Sequence, residues 1–252
     1  MGWHQELLIG FDLETTGTDA TEARIVTAAV VETKGGEPVG RREWLADPGV
    51  PIPEEAAAIH GITSERAALG RPAREVADEI AGILVAHWSA GASVVAYNAA
   101  YDLTVLAAEL QRHGLPSLGE RLAGEGLGAD GPGAEGPGGG DAAAAGTGPV
   151  VDPLTMDRAL DRYRRGKRNL ETVCRVYGVT LDDAHEAGAD ALAAVRVACA
   201  LAERYPDVAA ASPWDLHRDQ VRWYAEWARG YEDWLRRKGD ATAAVDARWP
   251  VR

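Results

Sequence analysis

The sequence predicts an α/β fold: a mixed β-sheet flanked by helices, followed by a C-terminal helical extension. Two observations carry this. Three short apolar stretches open the chain, spaced closely enough to pair as antiparallel neighbours, and strands then alternate with helices, an order that builds a mixed sheet with helices on its faces. The composition agrees, with 46% apolar and 26% charged residues in 252, values of a soluble globular chain long enough to bury a core.

The elements follow in order. Residues 6–13 (ELLIGFDL) and 25–32 (RIVTAAVV) are short, apolar and partly β-branched, the pattern of buried strands. A third strand is expected around 38–46, with Gly35-Gly36 just before it as a hairpin turn. PIPEEAAAIHGITSE reads as two short helical turns. Residues 72–88 are amphipathic, and Pro72 is well placed for a first helical turn. A strand at 93–98 and a helix at 100–113 come next. Residues 119–149 are dominated by Gly, Ala and Pro without apolar periodicity, which predicts a flexible surface insertion within one domain. A short strand at 149–152 and helices near 153–164, 169–177 and 187–204 complete a domain spanning 1–208. The extension, 209–252, holds five of the eight tryptophans. Trp223, Trp227, Tyr231 and Trp234 share one helical face, expected to pack on the domain, with a partner or self-association surface as the alternative.

Several classes are excluded or disfavoured. No apolar run approaches the ~20 residues that span a bilayer, and the start of the chain lacks a secretory pattern or a myristoylation signal. Cys174 and Cys199 lie in apolar helical patterns and read as buried thiols, which suits a reducing cytoplasm. The net charge of −13 is not that of a protein with a broad basic face for nucleic acid. The strongest basic cluster is Arg162, Arg164, Arg165, Lys167 and Arg168. It reads equally as a solvated helix end or a phosphate contact.

The residues that carry chemistry are acidic. Asp12 and Glu14 are two apart on a strand and so project from one face. Asp102 and Asp190 each lie at the start of a helix, where the helix dipole favours a carboxylate. His185 precedes Asp190 by five positions. Four converging carboxylates repel unless divalent cations lie between them, and a nearby histidine suits water activation. Together these are the requirements of metal-assisted phosphodiester hydrolysis.

FDLETTG, IHGIT, AYNAAYD and H-x-x-x-x-D ahead of a long helix closely resemble the DEDDh 3′→5′ exonucleases, the DnaQ-like group with a ribonuclease H-like fold. The resemblance covers roughly residues 6–204. It implies two Mg²⁺ or Mn²⁺ ions held by Asp12, Glu14, Asp102 and Asp190, with Asp12 bridging both and His185 as general base. Glu186 stands where the tyrosine-using relatives carry their Tyr, so the histidine branch is indicated. The resemblance further implies that Thr15 meets the terminal nucleotide and that His60 and Ile62 form the pocket for the last base. For His60, capping of its own loop is the competing role. Asn98 and Tyr101 flank Asp102, and Tyr101 replaces the more common Phe. Asp152 is expected to be structural.

The resulting expectation is a cytoplasmic two-metal exonuclease that acts on nucleic acid with a free 3′ end, DNA favoured, and releases nucleoside 5′-monophosphates. The alternatives are an RNA-trimming or oligoribonucleotide-degrading enzyme, a polymerase-bound proofreading subunit that docks through the aromatic tail, and a non-catalytic interaction module.

Overall fold

β1 (Leu7–Thr15), β2 (Ile25–Lys34) and β3 (Glu37–Asp47) form an antiparallel meander in the computed structural model, which describes residues 2–125, 146–181 and 185–252. Gly35 and Gly36 turn the β2–β3 hairpin with φ of 58° and 81°, the left-handed values that a tight hairpin needs. Two short helices, α1 (Glu54–His60) and α2 (Ser64–Ala67), follow as expected. β4 (Arg71–Pro72) then pairs in parallel with β3 before α3 (Ala73–Ser89), so Pro72 is the N-cap of that helix and not its first turn. β5 (Ser93–Val95) lies parallel to β1, and α4 (Ala99–Arg112) runs from its end.

The stretch expected to be a loop from residue 119 begins instead with α5 (Leu118–Gly124). Its start is fixed by a capping box in which Ser117 accepts from the Glu120 amide and Glu120 accepts from the Ser117 amide. Residues 126–145, the greater part of that expectation, lie outside the described residues. β6 (Val150–Val151) pairs in parallel with β5. The helices α6 (Pro153–Leu160), α7 (Leu170–Tyr177), α8 (Ala187–Arg204), α9 (Pro206–Ala210) and α10 (Pro213–Arg237) complete the chain. The six strands run in the order β4-β3-β2-β1-β5-β6.

Alternation along β1 divides the core. Ile9, Phe11 and Leu13 point into the cluster under α3 and α4, whereas Leu8 joins the cluster beneath α7 and α8. Gly10 shares the second face. A Cβ there would stand 2.8 Å from the Ala191 carbonyl oxygen, so the start of α8 approaches the β1 backbone as only glycine permits. Cys174 and Cys199 are free and buried, as expected.

The extension covers the outer edge of β6. The Val150 amide donates to His217 Nδ1 (3.1 Å) and the Gln220 amide donates to the Val150 carbonyl (2.9 Å). The Asp152 amide donates to Gln220 Oε1 (2.6 Å). Side chains thus occupy edge groups that would otherwise template another strand. The buried stripe of α10 is Leu216, His217, Gln220, Tyr224 and Ala228. This corrects the expectation from aromatic spacing. Trp223 and Trp227 are only partly buried, against different clusters, and Tyr231 and Trp234 are 41% and 45% exposed. Trp227, Tyr231 and Trp234 stack on one another instead, with ring centroids 5.5 and 5.7 Å apart.

Candidate active site

Asp12 and Glu14 leave β1 on the face of Gly10, near the C-terminal end of the parallel part of the sheet. The β1–β2 register shifts between Glu14 and Thr15, a local bulge of the kind that re-aims side chains beside functional sites. Both carboxyls are half-buried, and Leu13 between them is in the core.

Asp102 stands in the first turn of α4 and is 3% exposed. Its Oδ1 accepts from the Leu13 amide at 3.1 Å, which ties the helix to β1 between the two strand carboxylates. Asn98, the N-cap of α4, has φ 65° and makes no capping bond with its side chain. Its amide donates to Asp152 Oδ1 at 3.0 Å. Asp152 also accepts from Leu154, Thr155 and the Thr155 hydroxyl, so its role is structural, as the sequence suggested. The Tyr101 hydroxyl is engaged with Thr15 Oγ1 (2.5 Å) and the Gly17 carbonyl. Tyr101 and Thr15 therefore form one unit lining the end of β1.

Asp190 lies in the first turn of α8, and His185 two residues before that helix. His185 has φ 72° and is exposed. It and Asn98 are the only non-glycine residues with positive φ among the described residues. Such backbone costs on the order of 1 kcal/mol and concentrates where function over-determines the chain. Glu186 is ion-paired with Arg41 of β3 (2.5 Å), which fastens the His185 turn to the meander.

His60 accepts from the Ile62 amide through Nδ1 (3.1 Å), so it does cap its loop. It also faces the site. Burial holds its pKa below the ordinary value, the Thr15 backbone opposes this, and His185 adds to the lowering. Ile62 packs partly buried with Val26, Ile52 and Ala67.

The electrostatics record the convergence. Asp12 is raised well above its usual pKa, first by burial and then by Asp102, Asp190 and Glu14. Glu14 is raised to about 7 by burial and by Asp190. Asp102 is also raised, mainly by burial, although the Leu13 amide opposes it, and Asp190 is raised by burial against the pull of His185. One donor atom each from Glu14, His185 and Asp190 lies within 4.8 Å of the others. Asp190 Oδ1 is buried without a hydrogen-bond partner among the described residues. Hard oxygen donors, mutual repulsion and an unsatisfied carboxylate oxygen fit a divalent cation.

Sequence reasoning missed two supports. One is the path from Gln220 through Asp152 and Asn98 to the start of α4. The other is the Arg41–Glu186 tie. Neither has a local motif. In the basic cluster, Arg164 and Arg168 are ion-paired to the fully buried carboxylate of Asp157 and serve the fold.

A family model described as Exonuclease (RNase_T) matches residues 9–118, the stretch that carries Asp12, Glu14 and Asp102. Among curated proteins, the PolC-type DNA polymerase III of Lacticaseibacillus paracasei is 27% identical over 181 residues, 72% of this chain and 10% of that protein. That of Streptococcus thermophilus is 28% identical over 188 residues, 74% of this chain and 10% of that protein. The chain thus spans about a tenth of the length of these relatives. Among solved structures, E. coli exonuclease I with a dA16 oligonucleotide has a TM-score of 0.61 at 18% identity, covering 88% of this chain and 44% of that one. The same enzyme with a dT13 oligonucleotide gives 0.61 at 19%, covering 81% and 42%. That likeness is one of fold, a mixed sheet of the ribonuclease H-like kind. Taken with the acidic residues in their order along the chain, these matches make the chain similar to the DnaQ-like DEDD 3′→5′ exonucleases and support that reading of its site.

Proposed function

We propose that this chain hydrolyses DNA from its 3′ end and releases nucleoside 5′-monophosphates, using two divalent cations, Mg²⁺ or Mn²⁺, held by Asp12, Glu14, Asp102 and Asp190. The observation that carries the reading is geometric: Glu14, His185 and Asp190 offer donor atoms within 4.8 Å of one another, Asp12 shares the Glu14 face of β1, and Asp102 is hydrogen-bonded to the Leu13 amide between them. When bound, the cations offset charge on the attacked phosphodiester and assist both the attacking and the leaving oxygen. His185, exposed beside Glu14 and Asp190, accepts the proton of the attacking water on a ring nitrogen. Thr15, held by Tyr101, and His60 line the space for the terminal nucleotide. Ile62 and Asn98 shape its walls, and the Asn98 amide steadies α4 through Asp152.

The oligonucleotides bound by exonuclease I and the polymerase context of the curated relatives support a DNA substrate. No helix among the described residues is long and apolar enough to cross a membrane, and two free buried thiols support a cytoplasmic setting.

Purified protein incubated with 3′-labelled and 5′-labelled DNA and RNA oligonucleotides tests this. The expected result is stepwise shortening from the 3′ end, mononucleotide product, full dependence on Mg²⁺ or Mn²⁺, and resistance of closed circular single-stranded DNA. Nicking of circles at the rate of linear DNA overturns the exonuclease reading. Preference for the RNA strand replaces DNA by RNA trimming.

A further inference from the structure

The chain between α6 and α7 carries five cations, and the structure divides them. Arg164 and Arg168 hold the carboxylate of Asp157, and the Arg168 guanidinium also donates to the Asp157 and Asp161 carbonyls. These bonds fix the backbone of the segment. Arg162, Arg165 and Lys167 are exposed, and among the described residues none of their side chains has a hydrogen bond or ion pair. Tyr163, between them, is 90% exposed. Elsewhere in this chain of net charge −13, exposed arginines such as Arg41, Arg71, Arg222 and Arg248 are ion-paired to carboxylates. Three free cations and a bare aromatic ring thus stand together on one braced segment.

The segment is joined to two elements that lead to the site. The Tyr97 hydroxyl donates to the Arg168 carbonyl at 2.6 Å, and Tyr97 begins the connection from β5 to Asp102. On the far side the segment leads into α7, whose Val173 and Cys174 are buried in one cluster with Ala193, Ala194 and Val197 of α8, the helix that carries Asp190. A strand whose 3′ end enters a cluster of carboxylates meets repulsion along its remaining phosphates. Cations beside the entrance, with an aromatic face for bases, offset that repulsion without sequence preference.

We propose that Arg162, Tyr163, Arg165 and Lys167 form a binding site for single-stranded nucleic acid, holding phosphates and a base upstream of the 3′-terminal nucleotide. This rests on the nuclease reading for the direction of the strand, and the site itself requires no hydrolysis.

The test is fluorescence anisotropy with a 5′-fluorescein-labelled dT20 in EDTA at several salt concentrations. The proteins are wild type, the triple variant Arg162→Gln/Arg165→Gln/Lys167→Gln, and Tyr163→Ala. A phosphate contact on a single strand adds about 0.7 to the salt slope. Loss of three lowers the slope by about 2 and weakens binding about hundredfold at 0.1 M salt relative to 1 M. Tyr163→Ala weakens binding by about 5- to 150-fold with the slope retained. Hydrolysis of thymidine 5′-(p-nitrophenyl phosphate), which is too short to reach the segment, is expected at the wild-type rate in all variants. Unchanged affinity and slope in both variants, or no binding of dT20 by wild type, overturns the proposal. Failure of every protein to hydrolyse either substrate with Mg²⁺ or Mn²⁺ refutes the nuclease reading separately, and the anisotropy result still decides the binding site.

Discussion

Replacing His217 by asparagine isolates the titration of one buried imidazole. Its Nδ1 accepts from the Val150 amide (3.1 Å), and its ring lies 5.0 Å from Trp249. The ring must stay neutral, and burial, helped by Arg218, lowers its pKa from 6.5 to about 4. A depressed folded-state pKa means that the unfolded chain takes up the proton first. Its contribution to stability is therefore complete above pH 6.5 and is lost as pH falls towards 4. The ceiling is 2.3RT times the shift of about 2.5 units, about 3 kcal/mol, of which about 2 kcal/mol has gone by pH 5. The raised site carboxylates act in the opposite direction, adding stability at low pH that fades as pH rises through about 7 for Glu14. They are common to both proteins and cancel in the difference. His217→Asn loses ring packing and is less stable than wild type at pH 8. In urea melts with EDTA, that gap narrows by about 2 kcal/mol at pH 5, or about 4–8 °C in melting temperature for a chain of this size. A gap that does not change between pH 8 and pH 5 refutes the neutral, buried His217 and the edge-sealing role built on it.

The remaining outcomes are tested in the same preparations. Asp12→Asn abolishes nuclease activity but does not lower the melting temperature in EDTA, because it removes one of four repelling charges; a clear drop contradicts that repulsion. His185→Ala slows turnover about 10²–10⁴-fold at unchanged melting temperature, whereas a few-fold loss with lower stability makes His185 structural. Gly10→Ala places a Cβ 2.8 Å from the Ala191 oxygen and 3.1 Å from Val195 Cγ2. It costs about 1–3 kcal/mol and shifts the start of α8, so turnover falls with stability; full activity means that α8 need not sit so close. Truncation after residue 212 strips Val150 and Asp152 of their partners and gives aggregating protein by light scattering, and a soluble, active truncation refutes this.

The candidate metal-binding cluster could be proposed from the sequence because its signals are local. Asp12 and Glu14 obey the two-residue period of a strand, and Asp102 and Asp190 fall in first turns. The α5 helix also had a local signal, the S-x-x-E of Ser117–Glu120, which the surrounding glycines obscured. β4 is two residues long and contains Pro72, too short for any period. The buried face of α10 was misread because aromatic spacing outweighed His217 and Gln220, polar residues whose burial makes sense only against the edge of β6. The Asp152–Gln220 bond spans 68 positions. No property of either residue alone announces it.

The sealing of β6 by α10 also bears on synthesis. β5 precedes β6 in the chain, so Val150 and Val151 find their sheet partner already made, but Gln220 leaves the ribosome about 70 residues later. At about 5–20 residues per second that interval is about 3–14 s. Throughout it the nascent sheet shows an unpartnered edge, and Asp152 lacks the acceptor for its amide. On a polysome, neighbouring nascent chains at this stage present the same open strand to one another. The interval is therefore a vulnerable one, and slower translation between codons 152 and 220 lengthens it without altering the finished protein.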